Sequence, residues 1–129
     1  MGLGGRVQAG GQRVTTEADI LRAVRLALGG EPDLVLWRLA QCSVSVGGRQ
    51  VRGGLVPGAA DLVGILAPAG RWFALEIKCR GRLSANQRQW LALVRSMGGF
   101  ACCIRERVPA TAARSARKAL ARARAGESE

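Results

Sequence analysis

The sequence predicts an α/β domain with a central mixed β-sheet flanked by helices, and three observations carry that prediction. Apolar residues recur with helical spacing in well-bounded segments, and strand-like runs stand between them. The order is helix, strands, helix, strand, helix, an alternation that lays helices against a sheet. The chain has 129 residues, 48% of them hydrophobic, which suits one domain with its own core.

Residues 1–14 are Gly-rich, carry Arg6 and Arg13 and show no apolar period, so they read as a flexible basic tail. Thr16-x-x-Asp19 is a capping-box spacing that opens a helix, and Gly29-Gly30 before Pro32 closes it. Ile20, Leu21, Val24 and Leu28 share its apolar face, and Glu17 falls near the edge of that face, a semi-buried place where a carboxylate needs a reason. Leu34–Leu39 is a β-like run, and Ser43–Val46 a further short strand before a turn-rich stretch bracketed by Gly47-Gly48 and Gly53-Gly54. Asp61–Leu66 and Arg71–Lys78 form a hairpin around Pro68-Ala69-Gly70. Alternation puts Phe73, Leu75 and Ile77 on one face of the return strand, and Trp72, Ala74, Glu76 and Lys78 on the other. Ser84 and Gln87 form a second capping box, with Leu83 placed to staple it. Gln87, Trp90, Leu91 and Val94 share a face of that helix, and Gly98-Gly99 ends it. Phe100–Ile104 is the last strand, and from Pro109 the chain turns Ala- and Arg-rich, a basic C-terminal helix or tail over 109–129.

Charge narrows the function classes. There are 20 Lys+Arg against 9 Asp+Glu, a formal +11, and all the basic residues but Lys78 and Lys118 are arginine. The planar guanidinium fork matches phosphate oxygens, so the bias favours nucleic acid over an anionic membrane surface. No stretch approaches the ~20 apolar residues of a membrane span. The first residues lack a secretory h-region, and Arg6 breaks the myristoylation pattern. A cytoplasmic protein is expected, without a membrane partner. Cys42, Cys79, Cys102 and Cys103 include no C-x-x-C pair and the chain has no histidine, so they read as soft core residues in a reducing compartment.

The chemistry concentrates at the hairpin. Asp61 begins one strand and Glu76-Ile77-Lys78 ends the other, so antiparallel pairing lets both carboxylates reach one metal ion. Glu76 and Lys78 lie two apart, on one strand face. Phosphodiester hydrolysis needs a hydroxide at neutral pH and charge relief at the phosphate; Mg²⁺ supplies both and prefers oxygen ligands. A lysine beside it can position water and stabilise developing charge. The competing account is a strand-end ion pair between Glu76 and Lys78, with Asp61 capping a turn. Against it stand the rarity of lysine here, the uncharged neighbours of Glu76, and Glu17 as a third acid.

These residues also carry a family resemblance. The runs Gly58–Ile65 and Gly70–Lys78, then Gly81–Ser84, Gln87, Trp90-Leu91 and Gly98–Ala101, resemble the VRR-NUC domain of the PD-(D/E)XK nuclease superfamily. Upstream, Glu17 and Leu36-Trp37-Arg38 fit its first helix and following strand, so the similarity covers roughly residues 15–108. The resemblance implies a restriction-endonuclease-like core and a divalent-metal-dependent DNA endonuclease. It implies Glu17, Asp61, Glu76, Lys78 and Gln87 as catalytic residues, with Mg²⁺ or Mn²⁺ held by Glu17, Asp61, Glu76 and the Ile77 carbonyl, and no other small-molecule cofactor. Small stand-alone members, common in phages, resemble homodimeric Holliday-junction resolvases, so branched DNA and a homodimer are expected, in the host cytoplasm if the protein is phage-encoded. Ala60 departs from the proline often found before the aspartate.

Gln87 has a second reading as a helix cap. Trp72 and Trp90 are expected in the core. The exposed run Arg114, Arg117, Lys118, Arg122 and Arg124 is expected to contact phosphate. A non-catalytic basic DNA-binding protein that keeps the nuclease fold, and a protein that condenses DNA by charge, are the rival classes.

Overall fold

A computed structural model describes residues 14–39, 43–52 and 57–129. The basic tail expected over 1–14 lies, except for Val14, outside the described residues, as do Cys42 and Gly53-Gly54. The elements are α1 (Glu17–Leu28), β1 (Leu34–Arg38), β2 (Ser43–Val46), β3 (Arg49–Arg52), β4 (Leu62–Leu66), β5 (Arg71–Lys78), α2 (Ala85–Ser96), β6 (Phe100–Arg105) and α3 (Pro109–Arg124).

The main sheet has the order β1-β4-β5-β6 and is mixed: β1, β4 and β5 pair antiparallel, while β5 and β6, joined across α2, pair parallel. The turn-rich stretch after Val46 hides a strand, since β2 and β3 form a separate hairpin around Gly47-Gly48. The expected helix starts hold. Thr16 and Ser84 each complete a capping box, with Asp19 and Gln87 respectively. The expected staple from Leu83 does not form, because the position that would meet it is Arg88, whose Nη1 donates to the Leu83 carbonyl at 2.7 Å.

Two apolar clusters sandwich the sheet. Phe73, Leu75 and Ile77 face α1 and α3, whereas Val63, Ala74 and Ala101 face Leu91 and Val94 of α2. The face alternation read from β5 therefore places Glu76 on the α2 side. The C-terminal helix is part of the core rather than an arm. Ala112, Ala116, Ala119, Leu120 and Ala123 are buried with Ile20, Val24 and Leu28 of α1. Two of its basic residues are spent within the fold. Arg124 forks onto Asp33 and Glu31 in the α1–β1 turn, and Arg122 stacks over the Phe100 ring at 5.8 Å. Both are thereby withdrawn from the expected phosphate-binding run.

Trp72 sits at a rim instead of in the core, while Trp90 packs against the α2-side cluster. Trp72 is 38% exposed and meets Trp37 edge-on at 6.0 Å, and Trp90 is half-buried beside it. At this opposite end of β5, Arg71 donates to the carbonyls of Gly98, Ala123 and Glu127, which lie at or just past the ends of α2 and α3. A guanidinium fork suits that task, and positive charge is favourable at helix C-termini.

Candidate active site at the end of the sheet

β1 and β5 run the same way and β4 runs against both, so the C-terminal ends of β1 and β5 meet the start of β4. Asp61 occupies the bend that enters β4, and its carbonyl accepts from the Leu39 amide at 2.9 Å, extending the β1–β4 ladder by one step. Leu62 pairs with Leu75, so one further step of that register sets Asp61 opposite Glu76. Cross-strand neighbours hold their Cβ atoms roughly 4.5–5.5 Å apart. The Asp61 carboxyl stands close enough for its charge and hydrogen bonding to act on Glu76. Asp61 Oδ2 also accepts the Ile77 amide at 2.8 Å, so a side chain replaces the strand partner that β4 no longer supplies.

Glu76 is the one charged side chain buried among the described residues, at 4% exposure. Burial pushes its carboxyl from the ordinary 4.5 up to about 8; the Asp61 charge and hydrogen bond push the same way, Lys78 opposes them, and Glu17 adds a smaller push upward. Gln87 joins the pair from α2. Its Nε2 donates to Glu76 Oε2 at 3.2 Å, while its Oε1 accepts the Ser84 amide at 2.8 Å. The amide of Gln87 thus caps the helix through its oxygen end and touches the Glu76 carboxyl through its nitrogen end. The loop before Asp61 is pinned to the same helix turn. Gly58 has φ +84°, and a Cβ there would lie 2.4 Å from the Asn86 backbone, so only glycine passes.

No protein-family model matches this chain, nor does any curated protein.

What the site can do rests on its own atoms. Lys78 is half-buried on the strand face of Glu76, with Arg105 opposite it on β6. Glu17 differs from its expected semi-buried place: it is exposed at the first position of α1, and its Oε2 accepts the Cys79 amide just past β5 at 3.4 Å. Across a pocket of about 120 Å³ it faces Asp61, Ile77 and Arg38. The Ile77 amide points to Asp61, and a strand residue aims its carbonyl to the same side as its amide. Among the described residues no three Asp, Glu, Cys or His side chains form a ready-made metal cluster. What is assembled is a carboxylate pair, a backbone carbonyl beside it, and Glu17 at the pocket wall.

Cys103 is the register partner of Glu76. Burial holds its thiol above the ordinary range, opposed by Arg105 and reinforced by Glu76, so a thiolate ligand is disfavoured. The available donors are oxygens, which suit hard cations such as Mg²⁺. Sequence reasoning did not give Arg38 a place at the site. The signal was present in the antiparallel match of the 34–39 run to the 61–66 run, which sets Arg38 beside Leu62.

Proposed function

We propose that this protein is a divalent-metal-dependent DNA endonuclease that hydrolyses phosphodiester bonds. The carrying observation is a buried carboxyl, Glu76, set opposite a second carboxyl, Asp61, at the end of a sheet in a strongly basic chain. Two acids forced together in a low-dielectric place are unfavourable unless a proton or a cation sits between them. The donor set fits a hard cation: Asp61, Glu76 and the Ile77 carbonyl would hold it, with Glu17 at the pocket wall able to add an oxygen. When bound, Mg²⁺ or Mn²⁺ supplies a hydroxide at neutral pH and polarises the phosphate. Lys78 orients the attacking water and offsets charge that builds on the phosphoryl oxygens. Gln87 fixes the orientation of Glu76.

The resemblance to VRR-NUC domains extends this reading to a restriction-endonuclease-like core and to branched, Holliday-junction-like DNA cut by a homodimer. A face at the far end of β5 supports the second copy. Trp72, Leu93 and Met97 are 38%, 56% and 80% exposed and border a cleft of about 420 Å³. Its one charged lining residue, Arg71, is occupied by carbonyls, so two copies can meet there without opposing their charges.

The test is incubation with a four-way junction, linear duplex and single strand, with Mg²⁺, Mn²⁺ or chelator. Cleavage should require the ion and vanish in Asp61→Asn while DNA binding persists. Metal-independent binding without product, in any ion, would leave the non-catalytic DNA-binding protein in its place.

A further inference from the structure

Two arginine-lined clefts stand on opposite sides of the carboxylate centre. The first, about 520 Å³, lies between α1 and β1, with Arg22, Arg25 and Arg38 on its walls. It shares Ala18, Leu21 and Arg38 with the small pocket that holds Asp61 and Glu17, so the two spaces adjoin. The second, about 530 Å³, lies past the ends of β5 and β6 and is walled by Arg80, Arg105 and Arg107. All six arginines are exposed. Among the described residues Arg25, Arg38, Arg80 and Arg107 form no ion pair, and Arg22 has a loose one with Asp19 at 3.7 Å. Glu106, the acid within the second cleft, is engaged by the Ser115 hydroxyl at 2.7 Å.

The sheet order fixes how these parts are arranged. β1 and β6 are its two edges, and β4 and β5, which bring Asp61, Glu76 and Lys78, are its centre. Arg38 ends one edge strand and Arg105 the other. Three inter-strand steps of roughly 4.8 Å span about 14 Å. Against a rise of ~3.4 Å per base pair along the duplex axis, that distance covers about four base pairs when the axis lies along the edge. A strand lying across this edge meets guanidinium groups, then the carboxylates and Lys78, then guanidinium groups again.

We propose that a DNA strand crosses the end of the sheet from the Arg22–Arg25–Arg38 cleft to the Arg80–Arg105–Arg107 cleft. Phosphates on both sides of the carboxylate centre are then gripped, and no strand end is needed. The proposal rests on the nuclease reading of that centre but is tested apart from it, through binding.

Binding of labelled duplex DNA is measured against salt concentration in chelator, with folding checked by thermal melts. Arg22→Ala/Arg25→Ala/Arg38→Ala and Arg80→Ala/Arg105→Ala/Arg107→Ala should each flatten the slope of log affinity against log salt by about 2–3. Arg80→Ala/Arg107→Ala, which keeps the 2.6 Å bond from Arg105 to the Gly81 carbonyl, serves if the triple variant melts early. The comparison is Arg114→Ala/Arg117→Ala/Lys118→Ala on α3, which removes the same charge from outside both clefts and should flatten the slope less. With Mg²⁺, covalently closed circular DNA should be cut as readily as the linear form. The path is overturned if either cleft variant binds like the unmodified protein, if the α3 variant loses as much as the cleft variants, or if circles resist while ends are trimmed. Cleft-dependent binding with no cleavage of any DNA would instead remove the nuclease reading and leave the path standing.

Discussion

Glu76 is a carboxyl whose charge the fold resists, and that has a consequence for stability. In the unfolded chain it ionises near 4.5, while in the fold it stays protonated up to about 8. Between those values the folded state binds the extra proton, so the stabilisation that Glu76 contributes is full below about pH 4.5 and is lost as pH rises through about 8. Each pH unit in that window removes on the order of 1 kcal/mol. In chelator, melting temperature should therefore fall from pH 5 to pH 8, and Glu76→Gln should flatten that part of the profile. Added Mg²⁺ should stabilise more at pH 8 than at pH 5, because it competes with a proton at the lower pH. Equal stabilisation at both values would count against a cation between the carboxyls. At this scale the sequence indicated which side chains come together but not their state. Spacing placed Asp61 near Glu76, yet the burial that shifts Glu76 arises from α2, and the tie from Glu17 to the Cys79 amide arises from α1. The second joins segments 62 residues apart and the first depends on how α2 packs back on β5, and neither is encoded in local spacing.

Among the elements, periodicity made α1, α2, β5 and β6 legible within a residue or two, because each has a strong apolar face and a capping or glycine boundary. The β3 strand was not legible, since Arg49–Arg52 has too few apolar residues to show an alternation and only its pairing with β2 defines it. α3 was half legible. Its helical propensity is evident, but alanine is a poor marker of burial until a partner helix is known. The loop that enters β4 is the element on which the site most depends. Gly58→Ala combines a positive φ with a clash against the Asn86 backbone. It should cost more than about 1 kcal/mol and shift Asp61 relative to Gln87. Cleavage should fall further than stability alone accounts for, as read by activity measured well below the melting temperature. A variant with full activity would detach this loop from the site.

For the whole molecule, the sheet divides labour between its ends. One end gathers the acids and arginines, and the other carries the apolar rim of Trp72, Leu93 and Met97. Met97→Glu, or Leu93→Glu, should convert the proposed dimer to a monomer in sedimentation measurements with the melting temperature little changed, because both side chains are exposed. Unchanged mass would move any dimer contact elsewhere. The alanine row of α3 has a quieter consequence. Small side chains let it lie close beneath α1, and the clasp of Arg124 on Asp33 and Glu31 locks the turn that follows α1. The helix thus acts as a shim that sets the height of Glu17, Arg22 and Arg25 above the strand ends, though none of its own side chains reaches the carboxylates. A chain cut after Val108 should consequently lose DNA cleavage through collapse of that support, with amide signals of α1 disappearing alongside it, and a free α3 peptide added back should restore both together.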